Sequence, residues 1–322
     1  MYRKIFILTL LTVLLFGCVP AVTSTPTSIP TVTLAPATAT VAPVPTAITL
    51  TDGLGRTITL NHPAQRIVSM APSNTEILFA IGAGSQVVGR DDFSDYPDAV
   101  KALPSVGGTE KYNNEQIVAL HPDLVLAAEI NTPDQVKALE SLGLTVYYLN
   151  NPTTLDEMYA NMETVSKLTG HEADAATLIA LLKTRVAAVD AKIATATTKP
   201  TVFWELDATD PAKPYTVGPS TFIDSLIQRA GGTNVTGTLR DQYPQVSLEQ
   251  VVAWNPVFII LSDAVYDVTP DVVKVRPGWG SLNAVKNGHV VPVDDSLFSR
   301  PGPRLVDGLE LLAKILHPDL FK

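Results

Sequence analysis

Two glutamates stand at the same place in a phrase that the chain uses twice. "NEQIVALHPDLVLA" covers residues 114–127 and "LEQVVAWNPVFIIL" covers 248–261. They match at five of fourteen positions: Glu115/Glu249, Gln116/Gln250, Val118/Val252, Ala119/Ala253 and Pro122/Pro256. A carboxylate in the first turn of a helix faces the positive end of the helix dipole, an interaction of ~0.3–1 kcal/mol. Asn113 and Ser247 are the expected N-caps, and Gln116 and Gln250 follow three residues later, as in a capping box. Capping is a sufficient reason for the repeat. It leaves open whether the two carboxylates also meet something outside the chain.

Other chemistry is sparse. The sequence holds no Gly-x-Ser-x-Gly elbow and no Walker loop. Gly82-x-Gly84 lacks the third glycine of a dinucleotide fingerprint and follows a helical stretch rather than a strand. These absences argue against an enzyme. The five histidines are scattered at positions 62, 121, 171, 289 and 317, and "HEADA" does not have the spacing of a zinc helix. A bare zinc or manganese ion would need three or four converging ligands, so that reading stands as an alternative from another class. His121 falls opposite Asn255 in the repeat, which suggests a helix-end role. A net charge of −9 argues against nucleic acid as a partner.

Strands and helices alternate on both sides of one long helical stretch. "RIVSMAP", "QVVGR", "PDLVLAA" and "TVYYLN" read as strands of a first α/β half, preceded by a hairpin over 48–60. "SNTEILFAIGA" reads as a helix opened by a Ser73/Glu76 capping box, and "TPDQVKALESLG" as a helix with Pro133 in its first turn. Residues 171–197 carry Ala175, Leu178, Ile179, Leu182, Val186 and Val189 as one stripe at helical spacing. "TVFWELD", "VFIILSD" and "HVVPVD" are strands of a second half, closed by the amphipathic "RLVDGLELLAKILHP". Trp204, inside a strand, is expected in the core, and Arg304 is expected to anchor the last helix. The alternation predicts largely parallel sheets.

The N-terminus predicts an address. Arg3 and Lys4, an apolar run from Ile5 to Phe16, and "LFGC" resemble a lipoprotein signal, with Cys18 the lipidated residue. Residues 19–46 hold six Pro, eight Thr and no charge, the composition of an extended tether. The expected organisation is a signal peptide over 1–18, the tether over 19–46, an N-terminal lobe over 47–170, an inter-lobe helix over 171–197 and a C-terminal lobe over 198–322. The expected location is extracytoplasmic, lipid-anchored to the membrane at the cell surface or in the periplasm.

"TDGLGRTITL", "RIVSMAPSNTEILFAIG", "FSDYP", "NNEQIVALHPDLVLA", "SLEQVVAWNPVFIIL" and "SRPGPR", in this order and spacing, resemble the substrate-binding proteins of ABC importers for vitamin B12, ferric siderophores and haem. The resemblance covers about residues 48–320. It implies two Rossmann-like α/β lobes with mainly parallel central sheets, joined by a single long helix, with the ligand in the cleft between them. It also implies that Glu115 and Glu249 dock into arginine pockets on the two subunits of a permease dimer. The similarity is greatest to cobalamin-binding members, which places Phe93, Tyr215 and Tyr243 as aromatic contacts and Arg300 as a cleft arginine. Thr109 stands where the family has a cleft tryptophan, with Tyr112 as a nearby substitute. Ser296 stands where it has an acidic residue, with Asp294 and Asp295 just upstream. The implied ligand is a corrinoid. Haem, ligated by a tyrosine, and a ferric siderophore, facing the arginine, are the alternatives. No catalytic cofactor is implied, and the chain is expected to act as a monomer.

Overall fold

The computed structural model describes residues 47–108 and 111–322. The expectations placed on Cys18, on the leader and tether, and on Thr109 lie outside these residues. The first half runs β1 (Ile48–Thr51), β2 (Thr57–Leu60), β3 (Ile67–Ser69), α1 (Pro72–Ala80), β4 (Val87–Arg90), β5 (Gly107–Gly108), β6 (Lys111–Tyr112), α2 (Asn114–Ala119), β7 (Leu124–Ala128), α3 (Pro133–Ser141), β8 (Val146–Leu149) and α4 (Leu155–Thr169). β1 and β2 form the antiparallel hairpin, with Ile48 opposite Leu60. Asp52 closes its turn by accepting from the Leu54 and Arg56 amides, each at 3.0 Å. β4, β3, β7 and β8 follow in that order as a parallel sheet.

The second half begins after α5 (Glu172–Ile193). It runs β9 (Thr201–Asp207), β10 (Tyr215–Thr216), α6 (Phe222–Arg229), β11 (Thr233–Asn234), α7 (Leu248–Trp254), β12 (Phe258–Leu261), α8 (Pro270–Val275), α9 (Asn283–Lys286), β13 (Val290–Pro292) and α10 (Leu305–Leu316). β9, β12 and β13 are parallel neighbours, β11 pairs with β9 in parallel, and β10 lies antiparallel beside β9. β7 and β12 are buried at every position. Both faces of a parallel sheet are covered, so its strands read as unbroken apolar runs instead of alternating ones.

Local signals place the helices. Thr132 and Gln135 close a full capping box on α3, with Pro133 at its first position. α1 departs from expectation. It starts at Pro72 with Ala71 as an uncapped N-cap, so Ser73 and Glu76 lie inside the helix and form no capping box. Pro72 needs no amide partner at the first position, and the Glu76 carboxylate is claimed by arginines from the far end of the chain.

The stripe on α5 buries Ala175, Ile179, Leu182, Val186 and Val189, with Leu178 partly buried. Through it one apolar cluster runs from Ile67 and Leu126 of the first sheet, past Met158 and Val165 of α4, to Trp204, Ile260 and Leu309 of the second half. The described residues accordingly form one compact unit. Trp204 is fully buried and stands edge-on to Phe298 with ring centroids 4.9 Å apart.

On the opposite face of β9 lies an ion pair sealed from water. Arg276 donates to both oxygens of Glu205, at 2.9 and 2.7 Å, while stacking 4.8 Å above the Trp279 ring. Burial, with the Asp263 carboxyl nearby, pushes Glu205 up to about 7 even though the guanidinium opposes the shift. A carboxyl raised by folding stabilises the fold fully below its ordinary 4.5, and this contribution is lost as pH rises through about 7. Glu205→Gln removes the titration. Its stability relative to wild type should therefore climb by about 3 kcal/mol across that window. Urea unfolding of both proteins at several pH values reads this slope. A constant difference would show that Glu205 titrates normally.

Candidate functional site

The carboxyl ends of the two sheets meet across a cleft of about 1690 Å³. Parallel strands all deliver their C-terminal loops to one edge, so a crevice there is lined by loops from both halves. The first half supplies residues after β3, β4, β7 and β8 together with the first turns of α4. The second supplies the start of α6, the Gln242–Tyr243 loop and the segments after β12 and β13.

Three of the expected ligand residues stand in this wall: Phe93, Tyr243 and Arg300. Phe93 is 53% exposed, and its amide is held by Asp91 at 2.8 Å. Tyr243 is 47% exposed on a loop fastened at both sides. The Gly218 amide donates to the Gln242 carbonyl at 2.7 Å, and the Thr216 amide donates to Pro244 at 3.0 Å. A Cβ on Gly218 would fall 1.9 Å from the Asp241 carbonyl oxygen, so only glycine lets the loop lie this close.

Arg300 is not a free cation. Its Nη1 lies 2.5 Å from Asp95 and 3.5 Å from Glu76, both contributed by the first half. Arg304 stands at the N-cap of α10, as an anchor of that helix should. It donates through Nε and Nη2 to the two oxygens of Glu76, at 2.9 and 2.5 Å, and its guanidinium lies 4.0 Å from the Tyr96 ring centroid. A buried glutamate on α1 thus ties two arginines from beyond residue 299 across one edge of the cleft.

Tyr112 and Tyr215 are not part of the wall. Tyr112 packs on the core of the first half, donates its hydroxyl to the Met70 carbonyl at 3.0 Å and accepts from Asn131 at 2.9 Å. Burial and the charge of Asp91 push that hydroxyl up to about 12. Tyr215 sits on β10 opposite Asp207, with its neighbouring bridge to Gln245, and leaves the cleft to Tyr243. The shared composition of these tyrosine segments gave no sign of which ring faces the crevice.

The wall also contains residues that sequence patterns did not single out as a group. Asn150, Asn151, Asn161 and Glu157 come from the end of β8 and the start of α4, with the Asn161 amide donating to the Asn150 carbonyl at 2.9 Å, Glu129 and Ile130 follow β7, and Val265 and Tyr266 follow β12. The rule that ligands meet the C-terminal ends of parallel strands was the available signal for all of them. Ser296 lines the cleft with Asp294 and Asp295, and donates its hydroxyl to Asp294 at 2.7 Å.

Glu115 and Glu249 lie elsewhere, each in the first turn of its helix and each exposed. Asn113 caps α2 by accepting from the Gln116 amide at 3.0 Å, without the return bond of a full box. Ser247 and Gln250 close the full box on α7. The repeat extends to the helix ends: His121 and Asn255 both take left-handed backbone, with φ of 48° and 43°. Among the described residues neither glutamate forms an ion pair. The Glu249 carboxyl is held below its usual range by its own backbone amide and by Ser247. Among the described residues, no group of three or more His, Cys, Asp or Glu side chains is placed to hold a metal ion. No helix among them is long and apolar enough to cross a membrane.

Residues 67–297 match the family model described as "Periplasmic binding protein". An ABC transporter substrate-binding lipoprotein of Bacillus subtilis, YvrC, is 34% identical over 280 residues, covering 85% of this chain and 87% of the relative. A cobalamin-binding protein of Halobacterium salinarum is 32% identical over 279 residues, covering 84% of this chain and 74% of the relative. Among solved structures, the periplasmic heme-binding protein RhuT from Roseiflexus superposes with a TM-score of 0.73 at 27% identity, covering 80% of this chain and 99% of the other.

Proposed function

Since the chain belongs to the periplasmic binding protein family, a non-enzymatic component of transport, we propose that it captures a corrinoid outside the cytoplasmic membrane and hands it to an ABC permease. The coarser part of this reading, a substrate-binding protein for vitamin B12, haem or a siderophore, follows from the family and the relatives. The corrinoid is supported by the cobalamin-binding relative and by the cleft itself, which is the observation that carries the reading. Its 1690 Å³ accept a large ligand, Phe93 and Tyr243 offer ring faces, and uncharged polar residues such as Asn151 and Gln242 line the rest of the wall. Haem is the second reading, favoured by the likeness to RhuT and by two tyrosines, Tyr243 and Tyr266, in the wall.

In this reading the lobes close only slightly on the ligand, because the apolar cluster through α4, α5 and α10 is continuous between them. Glu115 and Glu249, one on each lobe, then meet positive pockets on the two permease subunits. Two equivalent handles suit a partner with two equivalent halves. Cys18 is the proposed lipid anchor, and the 19–46 segment the tether.

Titration of the purified protein with cyanocobalamin, haem and ferric siderophores, followed by tryptophan fluorescence, tests the ligand. Saturable binding of cyanocobalamin, weakened at least about tenfold by Phe93→Ala or Tyr243→Ala, is the expected result, since a buried aromatic contact contributes on the order of 1.4 kcal/mol or more. Binding of haem with no response to cyanocobalamin would replace the corrinoid by the second reading.

A further inference from the structure

The cleft wall has an electrostatic bias. Among the described residues five carboxylates line it, Asp95, Glu129, Glu157, Asp294 and Asp295, against a single cation, Arg300. That cation is already matched by Asp95 and Glu76. Among the described residues, Glu129, Glu157, Asp294 and Asp295 form no ion pair. Glu157 accepts from the Thr153 amide and hydroxyl at 2.6 and 2.9 Å. Asp294 and Asp295 accept from Ser296 and Ser262. These donors are neutral and do not cancel the field of the carboxylates. The rest of the polar wall is uncharged, notably Asn150, Asn151, Asn161 and Gln242.

We propose that this cleft admits metal chelates that are neutral or positively charged and carry amide side arms, and excludes chelates that carry carboxylates. The inference rests on the importer reading above and narrows its ligand. A carboxylate entering the cleft would leave water, meet four unpaired like charges and find no free cation. An amide arm meets no such penalty, because it is neutral and the wall offers it uncharged polar residues such as Asn151, Ser299 and Gln242. The bias also bears on ligation. Among the described residues no histidine lines the wall, and partial burial together with the negative charge of Glu129 raises the Tyr243 hydroxyl above its ordinary range in the protein alone.

The test uses matched pairs that differ by one charge-bearing arm. One pair is cyanocobalamin and its monocarboxylic acid, made by hydrolysing a single propionamide. The other is ferrioxamine B, whose free amine is cationic, and its N-succinyl derivative, which ends in a carboxylate. Hemin, with two propionates, is added alone. Affinities of the full chain are measured by titration at about 0.01 M and about 1 M salt, where the Debye length falls from about 30 to about 3 Å. Within whichever pair binds, the carboxylate member should be about tenfold weaker at low salt, and the ratio should shrink towards one at high salt. Glu129→Gln combined with Asp294→Asn should narrow the low-salt ratio by itself. Equal or tighter binding of the carboxylate member overturns the proposal. A ratio that ignores salt also overturns it, because the discrimination would then be steric. So does hemin binding more tightly than every neutral or cationic chelate. The corrinoid reading is judged separately, by which pair binds: ferrioxamine binding with the expected ratio would retain the charge rule and remove the corrinoid. Failure of every chelate to bind would overturn both.

Discussion

A chain carrying Glu115→Ala and Glu249→Ala together should bind its ligand within about twofold of wild type, yet lose more than about 99% of uptake through its permease. Close charge pairs across a protein interface couple by about 1.5–7 kcal/mol, so losing two of them removes at least about two decades of affinity. The fold should tolerate the change. Both side chains are exposed and unpaired among the described residues, and the caps are Asn113 and Ser247, not the glutamates. What alanine removes locally is a dipole interaction of ~0.3–1 kcal/mol at each helix. The measurements are ligand titration of the purified variant and uptake of labelled ligand by cells that express the variant with its permease. Glu115→Gln with Glu249→Gln separates charge from shape and should behave like the alanine pair. Uptake at the wild-type level would end the docking idea. Equal loss of binding and uptake would instead make these residues supports of the fold.

Arg304→Ala should destabilise the protein by ~3–5 kcal/mol, the cost of leaving a buried ion-pair partner uncompensated. Glu76 is 3% exposed, and without Arg304 its nearest cation is Arg300 at 3.5 Å, which Asp95 already holds more closely. The guanidinium contact with the Tyr96 ring disappears as well. Removing both partners, in Glu76→Gln with Arg304→Met, should be milder than Arg304→Ala alone, because no buried charge is stranded. Urea unfolding of Glu76→Gln, of Arg304→Met and of the two combined gives the coupling. Additive losses in the cycle, or a loss under about 1 kcal/mol for Arg304→Ala, would mean that this pair does not tie the last helix to α1.

Much of the fold was legible because its signals are local. The α5 stripe repeats at helical spacing, and the residues it names are the ones buried. Thr132, Pro133 and Gln135 fix a helix start within four residues. β7 and β12 announce two covered faces by lacking alternation. The same local logic misread Glu76. Its spacing from Ser73 fits a capping box, but its partners lie 224 and 228 residues further on. No pattern within α1 carries that information.

The site divides along the same line. Sequence by itself determined the paired glutamate helices and the helix-end places of His121 and Asn255, because a cap, a first turn and a stop are short-range chemistry; the structure adds that both take left-handed backbone. It also determined the family resemblance that placed Phe93, Tyr243 and Arg300. Only the tertiary structure decided that these three face the cleft while Tyr112 turns into the core and Tyr215 stays outside the wall. Only the tertiary structure gathered Glu129, Glu157, Asp294 and Asp295 around one crevice and matched Arg300 of the same wall in advance. The physical reason is that a helix stripe or a cap is written in neighbouring residues. The charge of a cleft is a sum over loops from two sheets, and that sum exists only once the chain has brought their edges together.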